Sequence, residues 1–172
     1  LAKANQWLPV DLTQPETVTI GELLASNLNG PRRFGFGTIR NWLIGLAVVL
    51  PDGRLIRNGG KVVKNVAGFD LCRLFVGAKN ELGIIVEAAF KLLPLPEAET
   101  YLAKRCESLD QSEDLLEKVW LSDLQPTVLD LHRIDSELVT LVVGLAGPSA
   151  DVEAQLGTAN ALGIVAQTSL NY

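Results

Sequence analysis

Methionine is absent from the 172-residue sequence, which also has only one histidine and two cysteines. The two cysteines, Cys72 and Cys106, do not have the spacing of a metal site. A single disulfide is not expected in a chain whose residues are 48% hydrophobic, so both thiols are predicted to be reduced and packed. Because the chain starts at Leu1 and contains no methionine, it is predicted to be a fragment or a processed product.

Long apolar runs and an excess of positive charge are also lacking. No stretch reaches the roughly 18 apolar residues of a membrane helix, and the N-terminus lacks the basic-then-apolar order of a signal peptide, so a cytoplasmic location is predicted. The net charge of −5 and the pI near 4.9 exclude an extended nucleic-acid surface. Nucleophile elbows, P-loops and metal clusters are absent as sequence motifs.

The most informative segment that is present covers residues 19–37 and reads TIGELLASNLNGPRRFGFG. A turn at Gly21 would leave backbone N–H groups unpaired, which favours binding of an anion. Short polar side chains that can hydrogen-bond an anion without crowding it follow at Ser26, Asn27 and Asn29. This pattern predicts a cofactor-phosphate site. The alternative is a buried strand–turn–helix corner with a solvated arginine pair at 32–33.

Two later segments identify the pattern. They read KVVKNVAGFD at 61–70 and RLFVGAKNELGIIVEAAFKLLP at 73–94. With the first segment, they resemble the FAD-binding domain of the vanillyl-alcohol oxidase (PCMH-type) flavoproteins. Those proteins typically show a TIGG turn, A-[ST]-N-x-x-G, R-[YF]-G, a GYD or GFD helix start and a G-S-x-G-T-L-G-I loop. Over residues 8–94 the sequence is most similar to FAD-binding subunits of bacterial glycolate oxidases, and five motifs in order make a strong signal.

The resemblance implies FAD as the cofactor and hydride transfer from a 2-hydroxy acid to the flavin. It implies an iron–sulfur partner subunit as the electron acceptor, since this sequence shows no cluster ligands. The family's first half-domain, with its glycine-rich diphosphate loop, has no counterpart before residue 8, so the isolated chain is expected to be inactive. The implied cofactor-binding residues are Thr19, Ile20, Gly21, Ser26, Asn27, Asn29, Gly30, Leu82, Gly83 and Ile84, whereas catalytic residues are not identified.

Two departures from the family pattern fall where the backbone should approach the cofactor. Glu22 stands in place of the second glycine of TIGG, and Asn80 with Glu81 stands in place of Gly-Thr in the last loop. A carboxylate near a diphosphate is unfavourable unless it points into solvent. These departures and the missing half favour an alternative function, a structural module that keeps the fold and binds partners but holds FAD weakly or not at all.

Strands at 43–50 and 54–58 flank Pro51-Asp52-Gly53, which predicts a hairpin. Short helices are predicted at 23–28 and 70–76, the second with Asp70 as N-cap, followed by a buried strand at 83–92. We expect a domain boundary near residue 97, because a proline-bounded segment at 94–96 precedes a change to amphipathic patterns.

Beyond the boundary, the periodicity predicts six elements in the order βαββαβ. The strands are predicted at 100–107, 127–133, 138–145 and 164–170, and the helices at 110–121 and 149–162, the latter capped by Ser149. This order is that of a ferredoxin-like fold, which suits the cap domain that the resemblance implies. The predicted fold class is α+β, with a partial PCMH-type FAD-binding domain at 1–96 and a ferredoxin-like cap at 97–172.

The remaining candidates have two interpretations each. His132 alternates with Asp130 on a strand, so it is a candidate substrate-facing base or a hydrogen-bonded surface residue. Lys61 and Lys64 could neutralise phosphate or be solvated loop charges. The three tryptophans, at positions 7, 42 and 120, lie in different elements, which favours core or edge packing over a stacking platform.

Overall fold

The computed structural model describes residues 1–12, 16–60, 70–133 and 138–166. They form two compact units, Leu1–Leu95 and Pro96–Tyr172. The segment 61–69, which carries Lys61 and Lys64 and most of the KVVKNVAGFD motif, lies outside the described residues. So does the end of the last predicted strand, at 167–170.

Ten short elements make up the described part of the first unit. The 3₁₀ helix Ala2–Ala4 precedes β1 (Gln6–Trp7), which pairs antiparallel with β5 (Leu93–Pro94). The remaining elements, in chain order, are α1 (Ile20–Ser26), α2 (Arg33–Phe36), α3 (Ile39–Trp42), β2 (Leu43–Val49), β3 (Leu55–Gly59), α4 (Leu71–Phe75) and β4 (Ile84–Phe90).

Strand β2 is the centre of an antiparallel sheet in the order β3-β2-β4. The hairpin between β2 and β3 is confirmed, with Val49 opposite Leu55 and Gly53 at φ +83° in the turn. The turn forms because Asp52 Oδ1 accepts a hydrogen bond from the N–H of Arg54 at 3.0 Å, while glycine adopts the positive φ without strain.

The core of the first unit lies between the helices and one face of this sheet. Its buried members are Leu23, Leu24, Ile39, Leu43, Leu46, Val48, Cys72, Phe75 and Val76. Helix α4 begins as predicted, because the Asp70 carboxylate accepts a hydrogen bond from the N–H of Arg73 at 3.3 Å. The prediction of a buried strand at 83–92 is wrong in its burial. Strand β4 exposes Ile84 and Val86, because among the described residues the core packs against the other face of the strand.

The second unit contains β6 (Ala98–Cys106), α5 (Leu109–Leu121), β7 (Val128–Arg133), β8 (Val139–Gly147), α6 (Ser149–Ala161) and β9 (Val165–Ala166). Its sheet has the order β7-β8-β6-β9, and every neighbouring pair is antiparallel. With helices after the first and third strands, this is the ferredoxin-like split βαββαβ topology.

Both helices of the second unit pack on its sheet, and the buried residues come from strands and helices alike. They are Leu102, Cys106, Leu115, Val119, Leu124, Leu141, Val143, Leu145, Val152, Ala159 and Ile164. Helix α5 is capped by Ser108, whose hydroxyl accepts from the N–H of Gln111 at 3.2 Å. The predicted capping of α6 by Ser149 is wrong, because Pro148 is the N-cap residue and Ser149 is already helical.

The expectations for sulfur and for two tryptophans are confirmed. Both cysteines are free and buried, and burial is the main cause that raises the pKa of each thiol.

Trp42 is buried, and Trp7 makes an edge-to-face contact with Phe36 at 5.3 Å between ring centroids. Trp120, by contrast, is 78% exposed, so the packing prediction is wrong there. Within the described ranges, no helix is long and apolar enough to span a bilayer.

Candidate functional site

The start of α1 is a closed hydrogen-bond unit made by Thr19 and Glu22. The carboxylate oxygen Glu22 Oε2 accepts from Thr19 N at 2.8 Å and from Thr19 Oγ1 at 2.9 Å, while Glu22 N donates to Thr19 Oγ1 at 3.2 Å. This is a capping box. The predicted turn at Gly21 is therefore wrong, because Gly21 lies in the first turn of α1. The helix extends from residue 20 to 26 rather than from 23 to 28.

The other end of α1 contacts the loop formed by residues 77–83, which carries the last family motif. Asn27 ends the helix in the left-handed region, with φ of 52°. The backbone N–H groups of Gly77 and Lys79 then donate to the carbonyls of Leu24 and Ala25, each at 2.8 Å. These two bonds satisfy carbonyls that a helix C-terminus leaves free, and they hold the loop against α1. The two sequence motifs predicted to bind one cofactor thus lie side by side.

A cavity of about 490 Å³ opens where α1 meets this loop. We call it the α1 cavity. Its lining combines apolar side chains with a carboxylate, hydroxyls, an ammonium group and an amide, namely Thr17, Val18, Glu22, Ala25, Ser26, Leu28, Lys79 and Asn80. A mostly apolar wall with a few convergent polar groups is typical of small-molecule sites. Both departures from the family pattern, Glu22 and Asn80, contribute to this lining.

The local backbone explains why Asn80 is tolerated in place of a glycine. Lys79 and Asn80 have φ of 51° and 63°, in the left-handed region where glycine is usual and asparagine is the next most favourable choice. The loop therefore keeps a glycine-like path while carrying two polar side chains to the cavity. Glu81, the other unusual residue of this loop, is exposed.

Two amide oxygens in the segment that follows α1 are buried without a partner among the residues that the structure describes. They are Asn27 Oδ1 and Asn29 Oδ1. The amide nitrogen of Asn29 is used, because Nδ2 donates to the carbonyl oxygen of Asn27. Buried acceptors are normally satisfied, so these oxygens call for donors that a bound molecule can supply.

The predicted glycines differ in what surrounds them. At Gly21 a side chain would find open space, with Thr19 Oγ1 the nearest atom at 3.9 Å. At Gly30 a side chain would overlap Asp11, whose carboxylate accepts from the N–H and the guanidinium of Arg32. At Gly83 it would approach Val48 Cγ1 to 2.6 Å. Packing within the described residues therefore explains Gly30 and Gly83 but leaves Gly21 without a structural reason.

The other predicted residues are placed as follows. Ser26 donates to the carbonyl of Glu22 and lines the α1 cavity, whereas Leu82 and Ile84 are 43% and 61% exposed. Arg32 is not the solvated charge of the alternative interpretation, because it pairs with Asp11 at 2.7 Å. It also lies over the Trp7 ring at 5.2 Å. Of the predicted binding residues, Ser26 therefore lines the α1 cavity, whereas Gly21, Asn27 and Asn29 are not among its lining residues.

His132 lies on β7 in the second unit, where its Nε2 is 3.0 Å from Asp130 Oδ2. This contact and the partly exposed side chain fit the interpretation of His132 as a hydrogen-bonded surface residue. The sequence analysis did not identify Lys79 as a lining residue, nor did it identify the capping-box role of Glu22. The T-x-x-E spacing at 19–22 is the capping-box signal that would have revealed the latter.

Comparison with known proteins agrees with these motifs. Residues 1–59 match the FAD binding domain family. The chain is 39% identical over 124 residues to glycolate oxidase subunit GlcD of Bacillus subtilis (strain 168), covering 72% of this chain and 26% of that protein. It is 37% identical over 127 residues to glycolate oxidase subunit GlcE of Escherichia coli (strain K12), covering 73% and 35%. A D-lactate dehydrogenase of Archaeoglobus fulgidus is 42% identical over 88 residues, covering 51% and 20%.

Structural comparison extends the likeness to both units. Two solved structures of alkyldihydroxyacetonephosphate synthase match with TM-scores of 0.75 and 0.74 at 19% and 17% identity. Each match covers 94% of this chain and 34% or 35% of the other chain. At this identity the match defines the fold alone.

Residues 1–59 thus match the FAD binding domain family, and the fold of the chain is that of PCMH-type FAD-binding proteins. More particularly, the chain is related to FAD-linked oxidoreductases that include glycolate oxidase subunits and D-lactate dehydrogenases. It spans between a fifth and about a third of the length of these relatives. FAD is the cofactor that this relationship assigns. The open side of Gly21 and the unpartnered amide oxygens are compatible with such a ligand.

Proposed function

We propose that this chain is the FAD-binding part of an oxidoreductase that oxidises a 2-hydroxy acid, as the glycolate oxidase and D-lactate dehydrogenase names of its relatives suggest. The observation that carries the proposal is the meeting of two cofactor motifs at the α1 cavity. A cytoplasmic location and assembly with further subunits, including an iron–sulfur subunit, are parts of the same proposal. Support for assembly comes from two relatives that are named as subunits.

The residues proposed to hold the cofactor form two groups. Ser26, Asn27 and Asn29 contribute polar atoms from the end of α1, and the open side of Gly21 allows close approach. The remaining predicted binding residues, Thr19, Ile20, Gly30, Leu82, Gly83 and Ile84, maintain the backbone on which these groups stand. For Gly30 and Gly83 this role is supported by their tight packing.

The chemistry supplied by bound FAD is acceptance of the hydride that leaves the carbon bearing the substrate hydroxyl. The share of this chain is binding and orientation, which set the affinity and position of the cofactor. In this proposal the ferredoxin-like unit serves as the cap domain.

The proposal is tested by titrating the 172-residue chain with FAD and following flavin fluorescence. We expect saturable binding by the parent chain. Gly21→Ala should weaken it about tenfold, because a methyl group placed in a filled site costs about 1–3 kcal/mol. The same change is harmless to the fold, since no atom nearer than 3.9 Å meets the new methyl group.

Gly157→Ala is the matched control. Gly157 is also helical, lies in α6, and would place its methyl group in open space. Alanine should stabilise α6 by about 0.5–1 kcal/mol and leave FAD binding unchanged. Equal affinity of the parent and both variants would contradict the proposed position of the cofactor, and absence of binding by the parent chain would contradict its FAD-binding role.

The capping box favours a second candidate, a structural module that keeps the fold but has lost tight FAD binding. Glu22 uses the N–H and hydroxyl of Thr19, so these donors are taken from any cofactor phosphate. A chain that remains colourless after purification and does not bind added FAD, yet is folded by circular dichroism, would support this candidate.

A further inference from the structure

The α1 cavity has an uneven distribution of hydrogen-bond donors and acceptors. On its α1 side, three donors of Thr19 and Ser26 are used in hydrogen bonds to Glu22. Thr19 N and Thr19 Oγ1 both donate to Glu22 Oε2, and Ser26 Oγ donates to the carbonyl of Glu22. The acceptors that line the cavity on this side are the Glu22 carboxylate and the lone pairs of Ser26.

An acceptor-rich wall selects for a ligand that donates. Phosphate oxygens of a fully ionised diphosphate accept hydrogen bonds and carry negative charge, so they are repelled by the Glu22 carboxylate. Hydroxyl groups donate, and a carboxylate is the group that recognises ribose hydroxyls in other dinucleotide-binding proteins. Lys79 and Asn80, which carry donors, belong to the other side of the cavity, the loop at 77–83, and the Thr17 hydroxyl lies in the segment before α1.

Glu22 is prepared for this role before any ligand arrives. Two hydrogen bonds from Thr19 hold the pKa of the Glu22 carboxyl below its ordinary value. The bond from the backbone N–H has the larger effect, and the bond from the hydroxyl adds to it. The group is therefore ionised at neutral pH and acts only as an acceptor. Since Oε2 already accepts both bonds from Thr19, the carboxylate is fixed in one orientation and its second oxygen remains as an acceptor.

We propose that Glu22 is a specificity-determining residue that binds the ribose hydroxyls of the adenosine end of FAD and directs the diphosphate away from the α1 side of the cavity. The apolar side chains of Val18, Ala25 and Leu28 provide the surface for the adenine ring. This inference rests on the proposed FAD-binding function and adds to it a residue-level assignment of which end of the cofactor enters.

The test uses adenosine, 2′,3′-dideoxyadenosine and inorganic pyrophosphate as probes of the full 172-residue chain. Binding is followed by the amide NMR shifts of residues that line the α1 cavity. We expect adenosine to shift these amides saturably and pyrophosphate to leave them unchanged. Dideoxyadenosine should bind about tenfold more weakly, because it lacks the hydroxyls that would donate to a charged acceptor.

The decisive variant is Glu22→Gln, whose amide oxygen still accepts from Thr19 while the second carboxylate oxygen is replaced by a donor. This variant should weaken the binding of adenosine about tenfold. The binding of dideoxyadenosine should stay unchanged, because that nucleoside has no ribose hydroxyls to donate to Glu22. Glu81→Gln, an exposed carboxylate of the neighbouring loop, is the control and should bind all probes as the parent does.

If Glu22→Gln weakened the binding of both nucleosides equally, the inference would be overturned, because a residue with a purely structural role would give that result. Pyrophosphate shifting the same amides would also overturn it, as would adenosine leaving them unchanged. A parallel FAD titration separates this failure from failure of the proposed function. If FAD binds while the nucleoside pattern is absent, only the Glu22 assignment is wrong, and if FAD also fails to bind, both are wrong.

Discussion

Glu22 illustrates how a single substitution within a cofactor motif changes both structure and charge. In the family pattern a glycine stands at this position, and here the carboxylate closes a capping box with Thr19 through bonds of 2.8 and 2.9 Å. The substitution removes donors from the start of α1 and adds an acceptor to the α1 cavity. The residue is therefore explained by two physical effects, one on the helix and one on the ligand site.

At this scale we predict a specific pH dependence of stability. The hydrogen bonds from Thr19 lower the folded-state pKa of Glu22. The contribution of the ionised carboxylate to the free energy of unfolding is therefore fully present above the ordinary glutamate pKa. It is lost as the pH falls through the lowered folded-state value. The difference in free energy of unfolding between the parent and Glu22→Gln should therefore be constant near neutral pH and shrink in the acid range. Urea unfolding across pH measures this difference.

Two Thr19 variants check the cause. Thr19→Ser keeps the N–H and the hydroxyl and should preserve the pH dependence, whereas Thr19→Val loses the hydroxyl bond and should reduce it. A difference between the parent and Glu22→Gln that stays constant into the acid range would contradict the proposed origin of the lowered pKa.

At the scale of elements, helix caps give a clean comparison between two serines. Ser108→Ala should lower the free energy of unfolding of the second unit by about 1 kcal/mol, because it removes the acceptor for the N–H of Gln111 at the start of α5. Ser149→Ala should have a smaller effect, since Pro148 is the N-cap residue of α6 and forms no side-chain cap. Chemical denaturation of both variants measures the difference, and equal losses would contradict this assignment of caps.

The same elements show what the sequence could and could not predict. The hairpin at Pro51-Asp52-Gly53 and the Asp70 cap were predictable because their causes are local, a turn hydrogen bond and a capping carboxylate. Burial of β4 was not, because an apolar strand does not reveal which of its faces meets the core, and here Ile84 and Val86 remain exposed. Ser149 was mistaken for a cap because serine usually holds that position, whereas here proline precedes it.

The sequence motifs predicted which segments meet at the candidate site but not the hydrogen bonds within it. Motif spacing identified Ser26, which lines one cavity together with Lys79 and Asn80 of the loop at 77–83. The pairing of that loop with α1 depends on backbone bonds to the carbonyls of Leu24 and Ala25. Such bonds involve atoms common to every residue, so the side-chain pattern gives no sign of them.

At the scale of the whole molecule, each unit has a core built from its own side chains. Leu141→Ala, at a fully buried position of β8, should destabilise the second unit by about 2–5 kcal/mol because it leaves a cavity. Leu24→Ala, at a fully buried position of α1, should do the same to the first unit. Hydrogen exchange read by mass spectrometry should show faster exchange within the substituted unit in each case. Faster exchange across both units in either variant would mean that the two cores unfold as one, which would contradict this assignment of stability to separate cores.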